Sequence, residues 1–102
     1  MNTIGNFKLD GEKYSGFVNT LTFSGPVSIE PNGNKVSEGS PDYRVYAGRS
    51  RSELGAAWKE RSEGGKEYLS VRLDDPSFSS PIFSRLVQFE KEEGFRLVWS
   101  RS

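Results

Sequence analysis

GAAWKERSEGGKEYLSVRLDDPSF, residues 55–78, is the stretch whose reading decides the fold. On its second arm Leu69, Val71 and Leu73 fall on one parity and Tyr68, Ser70 and Arg72 on the other, the period-two pattern of a strand with one buried face. On its first arm Ala56 and Trp58 alternate with Ala57, Lys59 and Arg61, and the apolar parity places Ala56 and Trp58 toward the core. The polar run Ser62 to Lys66 reverses the chain through Gly64-Gly65, residues that tolerate positive φ. Asp74-Asp75-Pro76 ends the return strand, because Pro76 lacks a donor and restricts Asp75 to extended geometry. The unit is a β-hairpin.

Hairpins also account for the sequence on either side. Asn6 to Leu9 and Tyr14 to Phe23 alternate around Asp10-Gly11, a strong short hairpin signal. Phe7 and Leu9 share one face there, and Phe17, Leu21 and Phe23 share a face on the second strand. Gly16 marks a bulge or a sharp bend. Ser24-Gly25-Pro26 interrupts the pattern, Val27 and Ile29 resume it briefly, and Pro31 to Asn34 breaks it again. Lys35 to Pro41 reads as a polar surface loop and Asp42 to Gly48 as a strand, with Tyr43, Val45 and Ala47 opposite Arg44 and Tyr46. Arg49 to Glu53 is a second polar loop. Pro81 to Glu90 forms a strand in which Phe83, Val87 and Phe89 share parity although Arg85 interrupts them. After the turn at residues 91–94, Phe95, Leu97 and Trp99 alternate with Arg96 and Val98. No segment sustains a 3.6-residue period. The expectation is one all-β domain over residues 1–102, an antiparallel barrel or sandwich of about six to seven short strands built from hairpins.

Composition narrows function mainly by exclusion. The chain has 102 residues with 14 basic and 14 acidic side chains, so no net field draws it toward a polyanion. It contains no cysteine and no histidine, which removes disulfides, thiolate nucleophiles, the common zinc ligand sets and every Ser-His or Cys-His catalytic arrangement. No apolar run reaches the length of a transmembrane helix or signal segment, and the expected location is cytoplasmic.

The order IGNFKLDGEKYSGFVNTLTF, PDYRVYAG, LGAAWKERSEGGKEYLSVRLDDPSFSSPIF and GFRLVWSR resembles the small bacterial family catalogued as domain of unknown function 736. The resemblance spans nearly the whole chain, departs from the pattern mainly at Arg49 to Ser52, and is most specific from Ala56 to Ile82. It implies a setting on proteobacterial plasmids and integrative elements, near transfer and maintenance functions. It carries no activity and no site residues.

Site residues therefore have to come from chemistry. Asp74 and Asp75 are neighbours in an extended chain and point apart, so they are poorly placed to share a proton or a metal ion. Asp42 would have to meet them to complete an oxygen site for a hard cation, and no metal or other cofactor is expected. Gly64-Gly65-Lys66 lacks the strand–helix context of a phosphate loop. Trp58 and Trp99 share parity with core positions and are expected to pack there. Arg44, Tyr46, Tyr68 and Arg72 fall opposite the core parity of their strands and form a candidate macromolecule-binding face, either for stacking bases and meeting phosphates or as protein hot-spot residues. Arg49, Arg51, Asp74 and Asp75 mark candidate interaction loops.

No spacing pairs a nucleophile with a base, so the chain reads as a non-catalytic binding protein. The leading expectation is an accessory or regulatory factor of a mobile element that recognises another protein through a β surface or loops. The alternative is a single-stranded nucleic-acid binder resembling an OB-type barrel. Pairing of exposed strand edges would add a homodimer, and no membrane partner is expected.

Overall fold

The computed structural model describes residues 2–20, 23–33, 37–48, 52–74, 80–88 and 94–99. Eight antiparallel strands follow one another around a closed barrel: β1 (Asn2–Asp10), β2 (Lys13–Asn19), β3 (Ser24–Pro31), β4 (Tyr43–Ala47), β5 (Ser52–Arg61), β6 (Glu67–Leu73), β7 (Ile82–Gln88) and β8 (Phe95–Trp99). β8 closes the ring by pairing with β1 through Asn2↔Trp99 and Phe7↔Phe95. Of the antiparallel barrel and the sandwich that the sequence leaves open, the chain forms the barrel. The strand beyond the expected six to seven is β3, which takes in Ser24, Gly25 and Pro26, residues that read as a break. Pro26 is tolerated because the pairing with β4 begins only at Val27↔Ala47, so its missing N–H faces the end of the ladder, where Gly48 N–H donates to the Pro26 carbonyl at 2.9 Å. Correspondingly β2 stops at Asn19 and does not continue to Phe23.

Alternation then builds the core. β6 sends Leu69, Val71 and Leu73 inward as its pattern requires, all of them buried. Register carries that parity around the ring, to Leu86 on β7, Leu97 on β8, Phe7 on β1, Val18 on β2, Ile29 on β3 and Val45 on β4. Ser84 also points inward and is buried, its hydroxyl satisfied by donating to the Val71 carbonyl at 3.1 Å. Most of the buried apolar side chains face in, with Phe17 and Phe83 turned outward and Lys59 inward as exceptions. No helix is long and apolar enough to cross a membrane.

β5 breaks the simple rule. Its pairing with β4 shifts at Val45/Tyr46, leaving Leu54 as the extra residue of a bulge, and beyond it Gly55, Ala57 and Lys59 take the inward parity. Ala57 is fully buried in the core. Ala56 and Trp58 consequently lie on the outer face, against the sequence expectation. At Gly55 the backbones come so close that a Cβ would lie 1.9 Å from the Arg72 carbonyl oxygen. Gly16, read as a bulge or bend, instead keeps regular register with Phe7 and Val27, and the Phe7 ring occupies the space its missing side chain leaves.

β7 corrects a second parity. Ser84 and Leu86 point inward, so Phe83 faces outward with Arg85 and is 66% exposed. Phe17 is likewise outward and half-exposed, with Val18 taking the core position. Phe89 and Leu21 lie outside the described residues. Closure has one further consequence: every strand is paired on both sides, so the exposed edges that would support edge-to-edge dimerisation are absent among the described strands.

Candidate functional site

The outer face of β4–β7 carries the residues singled out for recognition. One cross-strand row runs Glu30, Arg44, Ala56, Arg72, Phe83. Arg44 and Arg72 thus lie two strands apart, about 10 Å at the usual strand spacing. Between them Ala56 is buried although it points outward, with Arg44 and Arg72 as its register neighbours.

The arginines of this face divide into two kinds. Arg44 is neutralised: its guanidinium pairs with Glu53 and its Nε donates to Asn32 Oδ1 at 3.3 Å. Arg72 instead stacks over the Trp58 indole, 5.6 Å from the ring centroid. Arg85 does the same over Tyr68 at 5.3 Å. Among the described residues neither Arg72 nor Arg85 has a carboxylate partner. Trp58 is held in place by Nε1 donating to the Gly39 carbonyl at 3.2 Å, so the loop before β4 fixes the indole on the outer surface. The result is a patch on β5–β7 of Trp58, Tyr68 and Phe83 interleaved with Arg72 and Arg85.

Of the four residues expected to form one platform, Tyr68 and Arg72 belong to this patch, and Arg44 flanks it in a neutralised state. Tyr46 does not join it. It pairs in register with Ser28 and Glu53, toward the opposite end of the barrel from Tyr68, whose register partner is Glu60. Sequence reasoning missed Trp58, Phe83 and Arg85. For the last two a signal existed, since an arginine sharing parity with Phe83 marks that parity as the wet one.

The loop candidates are mostly not assembled. Asp74 is exposed just past β6, its N–H donating to the Leu54 carbonyl at 2.7 Å. Asp42 precedes β4, where its carboxylate accepts the Lys59 backbone N–H at 2.9 Å. β4 and β6 both run antiparallel to β5, so Asp42 and Asp74 sit at opposite ends of the barrel and cannot share a cation. Among the described residues no three metal-ligating side chains cluster. Arg49, Arg51 and Asp75 lie outside the described residues.

The architecture is thus an eight-stranded meander barrel with an Arg/aromatic patch on its outside, unlike the five-stranded Greek-key OB barrel. The chain belongs to the family described as protein of unknown function DUF736, whose model matches residues 3–102. Neither a search of curated proteins nor one of solved structures gives a match.

Proposed function

We propose that the chain is a non-catalytic recognition protein that docks a protein partner on the outer face of β5–β7, as an accessory factor of a plasmid or integrative element. The observation that carries this reading is the state of the two arginines. Arg72 and Arg85 are oriented by aromatic rings instead of being spent on internal carboxylates, so their N–H edges are presented to a partner in a fixed geometry. Trp, Tyr and Arg are the residue types that dominate protein hot spots, and Phe83 supplies an exposed apolar anchor beside them. The matching partner surface presents carboxylates to Arg72 and Arg85 and an apolar recess to Phe83.

A single-stranded nucleic acid is the second reading, favoured by the same guanidinium planes, on which bases stack. A face whose only arginines without a carboxylate partner among the described residues are Arg72 and Arg85, on a chain of zero net charge, weighs against it. With about two phosphates neutralised, the logarithm of the affinity for single-stranded DNA falls with a slope near −1.4 against the logarithm of salt concentration.

Affinity capture from cells carrying the parent element, with the parent protein and the Arg72→Glu/Arg85→Glu variant side by side, tests the reading. Recovery of a partner by the parent alone supports it. Equal recovery by both, or a partner released by nuclease, contradicts the protein-docking assignment.

A further inference from the structure

At the end of the barrel formed by the β1–β2 and β5–β6 turns the inward positions change character. Below them Leu69 and Leu86 make an apolar floor; above it Tyr14, Tyr43 and Phe95 form a wall and Lys59 enters from β5. The space they enclose measures about 740 Å³ and opens to solvent, within the range of small-molecule sites. Barrel mouths are a recurrent position for such sites, and eight strands leave an interior wide enough for one small ligand.

The wall is ordered by its own rings. Tyr14 meets Phe95 edge-on with centroids 5.0 Å apart and Tyr43 at 5.9 Å. These contacts fix an aromatic corner into which a further planar ring fits by the same edge-to-face geometry. Among the described residues that line the mouth, Lys59, Arg61 and Lys66 stand against Glu60 and Glu67. Arg61 is committed to Glu67 at 2.9 Å at the rim. The Lys59 ammonium has no carboxylate among the described residues and lies 5.9 Å from the Tyr43 ring centroid, at the edge of the aromatic corner.

We propose that the open mouth of the barrel is a binding site for a small planar aromatic anion, its ring against Tyr14, Tyr43 and Phe95 and its acidic group at Lys59 Nζ. Burial, and then the neighbouring Tyr43, hold the Tyr14 hydroxyl above its ordinary pKa. Tyr14 therefore stays a neutral donor at physiological pH and does not repel an anion. The site opens at the end of the barrel and meets the outer face of β5–β7 only at its rim, where Tyr68 belongs to both.

The test uses two fluorescent probes that share the anilinonaphthalene ring system and differ by one anionic group, anilinonaphthalene sulfonate and the uncharged phenylnaphthylamine. Each is titrated into the full chain, into Lys59→Gln, and into Gln88→Trp, which fills the mouth from the exposed end of β7. Thermal melts establish that the variants remain folded, and amide shifts of Tyr14, Tyr43, Lys59 and Phe95 locate the probe. The expected result is saturable one-to-one binding of the sulfonate, about tenfold tighter than the neutral probe. That margin disappears in Lys59→Gln, and both probes lose binding in Gln88→Trp. Absence of binding, equal affinity of the two probes for the parent, a margin that survives in Lys59→Gln, binding that persists in Gln88→Trp, or shifts confined to another surface overturns the proposal.

Discussion

Arg72 on β6 lies over the indole of Trp58 on β5, the guanidinium carbon 5.6 Å from the ring centroid, both on the outside of the barrel. The Leu54 bulge, which resets the phase of β5, brings Trp58 from the core position that alternation assigns to it to the outer face beside Arg72. A double-mutant cycle with Arg72→Ala and Trp58→Ala is expected to give a coupling of about 0.5–1 kcal/mol in chemical denaturation. Coupling indistinguishable from zero would mean that the two groups do not stack.

Gly55 is expected, with Gly16, to be among the least replaceable glycines described. A Cβ there meets the Arg72 carbonyl oxygen at 1.9 Å, a rigid backbone atom, whereas at Gly64 nothing lies within 4 Å. Gly55→Ala should cost about 3 kcal/mol or more, the upper end of overpacking penalties, and Gly64→Ala should stay within about 0.5 kcal/mol. Urea midpoints of the two variants make the comparison, and equal midpoints contradict the close approach of β5 and β6.

Stability should fall at alkaline pH through Tyr14. Its pKa is raised above 10.0 in the folded state, chiefly by burial and then by Tyr43. The unfolded chain loses this proton first, so the contribution is complete below about pH 10 and disappears as pH rises through the higher folded value. Denaturation of the parent and of Tyr14→Phe on both sides of pH 10 reads the difference, which should shrink as pH rises; a difference that grows contradicts the assignment.

Much of this fold is legible in the sequence. Leu69, Val71 and Leu73 alternate without interruption because β6 is packed from Leu69 to its end, and Asp10-Gly11 and Gly64-Gly65 turn where expected, with Gly11 and Gly65 at positive φ. β5 misleads for two physical reasons. The Leu54 bulge resets its phase, and its inward positions run out of the packed core into the open mouth, where Lys59 is inward yet exposed. Alternation equates inward with apolar, and that equivalence ends where the barrel opens. The pairing that sets Arg72 and Arg85 over Trp58 and Tyr68 joins residues of different strands. No single strand's pattern contains it.

Closure by β8 should be indispensable. Removing residues 95–102 strips Leu97 from the core and leaves β1 and β7 with unpaired edges. Loss of a cooperative thermal transition, or association through the freed edges, is the expected outcome. A truncated monomer with the parent's cooperative melt would contradict the closed ring.

The most direct test of the proposed recognition face places a photo-crosslinking amino acid at Phe83, inside the patch, and separately at Lys8, an exposed position on β1. The account predicts a discrete, protease-sensitive adduct from position 83 in cells carrying the parent element, absent from position 8 and abolished by Arg72→Glu/Arg85→Glu. Adducts of equal yield from both positions, no adduct from position 83, or an adduct that survives the charge reversal contradicts it.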